Sequence, residues 1–185
     1  TDFMKALKEL LSELTFTCER GNLEKEITAV VYDSRKIVEG CLFVCIKGAN
    51  FDGHQAAAEA TEKKAAAIIV SQEVVELPKQ SETTLIRVED TRYALAFVSA
   101  AWFDHPAKKL TTIGITGTKG KTTTTYLVKS ILENAGRKVG LVGTIEIIIG
   151  DTHIHAVNTT PESYLLQEYF AKMVESGCDT VVMEV

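Results

Sequence analysis

Apolar positions along this chain follow two rhythms, and where one gives way to the other marks out the elements. Leu7, Leu10, Leu11 and Leu14 recur at three- and four-residue spacing among Lys5, Lys8, Glu9 and Glu13, predicting an amphipathic first helix. Residues 27–32 form a β-rich run that ends in Asp33-Ser34-Arg35. Residues 40–46 are a second buried-strand candidate and lead into the turn-rich stretch 47–54. After an Ala- and Glu-rich segment, residues 65–70 and 84–88 predict two further strands. Asp90-Thr91 then opens a helix whose apolar face is Ala94, Leu95, Val98, Ala101 and Trp102. Pro106, flanked by charges over 104–109, interrupts both rhythms, so a domain boundary is expected there, with 1–107 and 108–185 as separate α/β domains.

In the second half, the β-branched run 110–113 precedes Gly114-Ile115-Thr116-Gly117-Thr118-Lys119-Gly120-Lys121-Thr122-Thr123-Thr124. Helical spacing of Tyr126, Leu127, Val128, Ile131, Leu132 and Ala135 follows, so the glycines lie between a strand and a helix. A glycine-rich turn at a helix N-terminus presents backbone N–H groups and the positive end of the dipole, both favourable to a triphosphate. Lys121 is placed to reach the outer phosphates and Thr122 to offer its hydroxyl to Mg2+. The strict Gly-x-x-x-x-Gly-Lys-Thr pattern asks for glycine at 115, where this chain has Ile115.

Beyond the loop, 137–144 predicts a strand that completes a βαβ unit. Residues 145–149 and 152–157 read as a hairpin about Gly150-Asp151, with His153 and His155 on one face. That histidine pair could ligate a metal or simply decorate an exposed strand face. In Asn158-Thr159-Thr160-Pro161, Thr160 suits an N-cap and Pro161 the first helical position. The following helix buries Leu165, Leu166, Tyr169, Phe170, Met173 and Val174. The chain closes on a buried strand, 178–185, that carries Glu184 near its end, where a carboxylate can complete a Mg2+ shell beside a loop threonine. Ser34, Arg35, Asn50, Asp52 and His54 leave strand ends, and either converge on a polar ligand or serve as ordinary turn chemistry.

Composition narrows the function classes. The 185 residues are 45% hydrophobic and 24% charged, ordinary globular usage. A net charge of −5 gives no electrostatic reason to expect nucleic acid or an anionic membrane as partner. Cys18, Cys41, Cys45 and Cys178 form no Cys-x-x-Cys pair and are expected as buried free thiols. The N-terminal pattern is no secretory signal and no apolar stretch is long enough to span a bilayer, so a cytoplasmic chain without membrane insertion is expected.

Four separated stretches coincide with one family. The segment 116–123 resembles the ATP loop of the Mur ligases, whose Thr-Gly-Thr-x-Gly-Lys-Thr form also lacks the usual first glycine. Asp33-Ser34-Arg35, Gly40-x-Leu42-Phe43-Val44 and Gly48 through Asp52-Gly53-His54 are similar to an N-terminal domain of that family. Asn158-Thr159-Thr160-Pro161 resembles the branch that adds the third peptide residue, the UDP-N-acetylmuramoyl-tripeptide synthetases (MurE type). The resemblance implies a small α/β substrate-binding domain followed by an incomplete P-loop, Rossmann-like ATP-binding domain with a mostly parallel sheet.

By the same resemblance, Tyr32, Ser34, Ala49, Asn50 and Phe51 contact the UDP end of the substrate, and Asn158, Thr159 and Thr160 its muramoyl-peptide part. Gly117, Thr118, Lys119, Gly120, Lys121, Thr122 and Thr123 hold ATP, and Thr122 with Glu184 holds Mg2+. Lys121 and Glu184 are the expected catalytic pair. The implied activity is ATP-dependent addition of a diamino acid, meso-diaminopimelate or L-lysine, to UDP-N-acetylmuramoyl-L-alanyl-D-glutamate through an acyl phosphate, in peptidoglycan biosynthesis. A monomer is expected, and a piece ending at Val185 is expected to bind without turning over. The alternatives are a sister ligase that adds the D-Ala-D-Ala dipeptide and a non-catalytic P-loop nucleotide-binding module.

Overall fold

Strands buried on both faces need cover on both sides, and the apolar runs over 42–44 and 67–70 organise the first half of the molecule in this way. The computed structural model describes residues 3–74, 77–157 and 161–185. It divides into two units, Thr1–Trp102 and Phe103–Val185.

In the first unit the elements run β1 (Lys5–Ala6), α1 (Leu7–Leu10), β2 (Thr17–Arg20), β3 (Glu26–Ile27), β4 (Val30–Val31), β5 (Leu42–Val44), α2 (Ala57–Glu62), β6 (Ala67–Val70), β7 (Thr84–Arg87) and α3 (Thr91–Trp102). The sheet order is β2-β7-β6-β5-β4; β4 to β7 are mutually parallel and β2 closes one edge antiparallel. Phe43, Ile68, Val70 and Leu85 form one core with Ala56, Ala57 and Ala60, whose small side chains let α2 approach the sheet. Parallel pairing sends the C-terminal ends of β4, β5 and β6 to the same edge, so the loops after Val31, Val44 and Val70 leave together.

The second unit contains β8 (Thr111–Ile115), α4 (Lys121–Asn134), β9 (Val139–Val142), β10 (Glu146–Ile149), β11 (Thr152–His155), α5 (Ser163–Glu175) and β12 (Thr180–Glu184). Its sheet order is β11-β10-β9-β12-β8, parallel across β9, β12 and β8 and antiparallel through the hairpin. Tyr169, Phe170 and Met173 of α5 pack with Val142, Ile147, Ile149 and Val181 in its core.

Several sequence expectations change. The first helix is one turn long; Leu7, Leu10 and Leu11 are buried, but the preceding residues pair with β3 and the chain turns before Leu14. The run 27–32 splits into β3 and β4, and β2 had no clear periodic signal. Cys41, Cys45 and Cys178 are buried free thiols, whereas Cys18 is exposed on edge strand β2. Pro161 is not the first helical residue: α5 begins at Ser163 with Glu162 in extended backbone at its N-cap. Strands β8 and β9 run parallel, as the expected βαβ unit requires, with β12 inserted between them. On α4, Leu127 and Ile131 are 58% and 65% exposed, so part of the expected apolar face points away from the sheet.

Candidate functional site

The insertion of β12 decides what meets the phosphate loop. Register pairs Glu184 with Ile115, the last residue of β8, and Val185 N–H donates to Ile115 O at 2.9 Å. A carboxylate from the far end of the sequence is thereby set beside the start of the loop, and Glu184 is buried at 4% exposure. The loop residues Thr116 to Gly120 are exposed.

Gly120 is the N-cap of α4 in left-handed backbone, φ +77°, a conformation that favours glycine. A Cβ there would meet nothing within 4 Å, so the requirement is conformational rather than steric. No side chain caps this helix start. The first intrahelical bond is Thr124 N–H to Gly120 O at 2.9 Å, which leaves the N–H groups of Lys121, Thr122 and Thr123 ahead of the helical ladder. Such an end suits an anion. Lys121 folds back over the loop, its Nζ donating to Gly117 O at 2.6 Å.

Thr144, which sequence reasoning did not single out, joins the two expected metal ligands. Its hydroxyl lies 3.4 Å from that of Thr122, and its N–H donates to Glu184 Oε1 at 3.4 Å. The available signal was a polar residue at the end of an apolar strand, after Val142 and Gly143. Next to it, the Tyr126 hydroxyl donates to Glu146 Oε1 at 2.5 Å, and His153 Nδ1 lies 2.7 Å from Glu146 Oε2. The bonds from Tyr126 and then His153 hold the Glu146 carboxyl below the usual range. In turn Glu146 pushes the Tyr126 phenol up to about 12, with burial and the charge of Glu184 adding to the shift.

The donor set fits a nucleotide-bound Mg2+. Hydroxyl and carboxylate oxygens suit a hard cation that keeps several waters and takes phosphate oxygens, so few protein ligands are needed. Among the described residues no group of three or more His, Cys, Asp or Glu could hold a metal by itself. His153 and His155 are exposed, and His153 is engaged with Glu146.

In the first unit, Tyr32 and Ser34 are half-buried just past β4, and Ala49, Asn50 and Phe51 are exposed past β5, at the sheet edge where those strands end. Asp33 and Arg35 serve each other instead of an open site. Arg35 Nε and Nη2 donate to the Asp33 carboxylate at 3.0 and 2.8 Å, and Asp33 also caps the short 3-10 turn Ser34–Lys36. These hydrogen bonds from Arg35 carry the Asp33 carboxyl down to about 2.

The loop carrying Asn50 and Phe51 is pinned at its base. Gly48 N–H donates to Phe51 O and Gly53 N–H to Ile46 O, both at 2.9 Å. Ser71 N–H donates to His54 Nε2 at 3.0 Å, so the ring proton sits on Nδ1, directed at Asp52 Oδ1 2.7 Å away. Burial works against the Asp52 charge, but bonds from His54 and Gln72 hold its carboxyl below the usual range. Asp52 and His54 are thus loop supports.

A cavity of about 710 Å3 lies at the opposite end of this sheet, lined by residues including Lys25, Gly40, Thr61, Lys64 and Thr83, far along the strands from Tyr32 and Asn50. A second, about 400 Å3, lies past the end of β7 beside Glu89, Asp90 and Tyr93. Neither is lined by the expected substrate residues. Asn158, Thr159 and Thr160 lie outside the described residues.

Comparison with known proteins adds a family. Residues 26–102 match the Mur ligase family catalytic domain and residues 115–185 the Mur ligase middle domain. The chain is 48% identical over 179 residues to the UDP-N-acetylmuramoyl-L-alanyl-D-glutamate--2,6-diaminopimelate ligase of Clostridium perfringens (strain 13 / Type A), covering 97% of this chain and 36% of that protein. It is 47% identical over 165 residues to the ligase of the same name from Bacillus licheniformis, covering 89% and 33%. The chain therefore spans about a third of the length of these relatives. A solved UDP-N-acetylmuramoyl-L-alanyl-D-glutamate--2,6-diaminopimelate ligase superposes with TM-score 0.74 at 18% identity, over 99% of this chain and 36% of that one. MurF from Acinetobacter baumannii superposes with TM-score 0.62 at 22% identity and the same coverage, a likeness of fold.

Proposed function

The chain belongs to the Mur ligase family, and from that premise we propose that it supplies the substrate-binding and ATP-binding parts of a ligase that joins 2,6-diaminopimelate to UDP-N-acetylmuramoyl-L-alanyl-D-glutamate. Residues 1–107 form the UDP-substrate domain and 108–185 begin the ATP-binding domain. The observation that carries this reading is the meeting of Glu184, Thr144 and Thr122 beside an uncapped helix start. The names shared by relatives at 42–48% identity support the choice of substrates.

In this reading the N–H groups at the start of α4 receive the β- and γ-phosphates, with Gly117, Thr118, Lys119, Gly120 and Thr123 shaping the cradle. Lys121 exchanges its bond to Gly117 O for a phosphate oxygen. Its charge, close to the transferring group, offsets charge that develops there. Mg2+, when bound, neutralises the phosphate oxygens, and Thr122 and Glu184 hold it. Tyr32, Ser34, Ala49, Asn50 and Phe51 receive the UDP end, while Asn158, Thr159 and Thr160 receive the muramoyl-peptide part. The substrate carboxylate takes the γ-phosphoryl group as ADP leaves, and the incoming amine then displaces phosphate from the resulting acyl phosphate, so the amide forms without a protein nucleophile.

The test is ligand titration followed by backbone amide NMR. UDP-N-acetylmuramoyl-L-alanyl-D-glutamate is expected to shift Ser34 and Asn50, and MgADP to shift Gly117 through Thr123. If MgADP shifts the loop while the UDP ligand leaves Ser34 and Asn50 unmoved, a nucleotide-binding module without a ligase substrate is the better description.

A further inference from the structure

We infer that Glu146 is a positioning residue, whose bond to Tyr126 fixes the rotation of α4 so that the Thr122 hydroxyl faces Glu184. This rests on the reading of Thr122 and Glu184 as the pair that holds nucleotide-bound Mg2+.

Tyr126 follows Thr122 by four residues, so the two project from one face of α4, just over a turn or about 6 Å apart. Both are met by one short stretch of the neighbouring chain. Thr144 approaches Thr122 hydroxyl to hydroxyl at 3.4 Å, and Glu146 accepts from the Tyr126 hydroxyl at 2.5 Å. Gly143 N–H donates to Glu146 O at 3.0 Å, closing the turn that carries Thr144, so the two attachments form one rigid piece. Packing on β9 and β12 sets the position of α4, and the two attachments a turn apart add a fixed rotational setting of the face that carries Thr122.

The other end of the brace is anchored as well. Glu146 opens β10, and its second carboxylate oxygen faces His153 Nδ1 at 2.7 Å. An ionised carboxylate only accepts, so Nδ1 carries the proton. His153 sits on β11 diagonally across from Glu146, whose direct partner is His155, and diagonal pairs on one face are within reach. Both Glu146 oxygens are therefore engaged, one by the helix and one by the hairpin. The Thr122–Thr144 and Thr144–Glu184 contacts are both long, at 3.4 Å, and the short Tyr126–Glu146 bond is the firm attachment of this face.

The test compares ADP binding to the chain with excess Mg2+ and with EDTA, by calorimetry, for wild type, Tyr126→Phe, Glu146→Ala and Glu146→Gln. Tyr126→Phe and Glu146→Ala are expected to weaken MgADP binding about 5- to 10-fold, the scale of one ordinary hydrogen bond, because the bond acts on the metal pair only through the helix. Metal-free ADP binding should stay within about twofold. Glu146→Gln keeps an acceptor for Tyr126 and should recover most of the affinity. The double variant Tyr126→Phe/Glu146→Ala should be no worse than Glu146→Ala alone, since the two act through one bond.

Thermal melting and UDP binding monitor folding, and if Glu146→Ala melts below the assay temperature Tyr126→Phe decides. Unchanged MgADP affinity in Tyr126→Phe, or equal losses with and without metal, would overturn the positioning role. A wild-type chain whose ADP affinity ignores Mg2+ would instead overturn the underlying metal reading, and this inference with it.

Discussion

At the scale of single residues, identical side chains in sequence take different roles once the backbone is placed. Four consecutive threonines open α4, yet Thr124 and Thr125 turn their hydroxyls back to Gly120 O and Thr122 O, both at 2.7 Å. Thr122 alone among these three faces another element, through Thr144. Spacing after Gly-Lys singled out Thr122 as the one to watch, but nothing local could tell which partner would meet it. Asp33 is the converse case, a motif residue whose chemistry is consumed within its own turn. Its carboxyl is depressed to about 2 in the folded chain against about 3.9 unfolded. The bonds to Arg35 therefore stabilise fully above about pH 4 and are lost as pH falls toward 2. Asp33→Asn should flatten the pH dependence of the melting temperature of the chain between about pH 4 and 2. Because the group lies near the surface, the difference should shrink in high salt. An unchanged pH profile in the variant would remove the depressed carboxyl as the cause.

At the scale of elements, what the sequence disclosed was local and what it withheld was pairing. The apolar periodicity of 91–102 became α3 with the expected buried face, and the Gly150-Asp151 turn became a hairpin with Ile147 opposite Ile154. The position of β12 between β8 and β9 could not be read, since it depends on contacts between residues some forty to seventy apart. Thr144 was missed for the same reason: its importance exists only once Glu184 is beside it. The exposed side of α4 was also illegible, because helical spacing identifies an apolar stripe without saying what covers it. The loop that carries Asn50 and Phe51 shows the reverse, a sequence signal with a steric cause. A Cβ on Gly53 would stand 2.8 Å from Ile46 N and 3.1 Å from Ile46 O, both backbone atoms with nowhere to go. Gly53→Ala should cost about 1–3 kcal/mol in denaturant unfolding. It should also weaken UDP binding more than MgADP binding, because it displaces the base of the 48–53 loop. Equal losses for both ligands would mean that the loop plays no special part in the UDP site.

At the scale of the whole molecule, each unit places its candidate groups at the ends of parallel strands where loops leave the sheet, and the proposed function divides the chemistry between them. The first has residues 32–34 just past β4 and the loop 49–51 beyond β5; the second has the uncapped helix start with Lys121, Thr122 and Glu184. If this division of labour is real, their ligands must be separable by mutation. Lys121→Ala removes the ammonium that folds over the loop onto Gly117 O and should weaken MgADP binding by about 10- to 100-fold, the range for a hydrogen bond between charged partners. UDP affinity should stay within about twofold, since no group of the first unit is altered. Ser34→Ala with Asn50→Ala should give the mirror image, with UDP binding reduced and MgADP binding retained. Calorimetric titration of both ligands against both variants provides the four numbers needed. The decisive pattern is a crossed one: a Lys121→Ala chain that loses UDP as severely as MgADP would mean that a single composite site had been divided wrongly in two. The missing glycine at 115 belongs to the same logic, because β8 continues through Ile115 to pair with Glu184, and the strand is used there to bring the carboxylate to the loop. Ile115→Gly should therefore not improve nucleotide binding. By loosening the Ile115–Glu184 register it should lower the Mg2+-dependent part of ADP affinity, and a gain in that affinity would instead identify residue 115 as a defective phosphate-loop glycine.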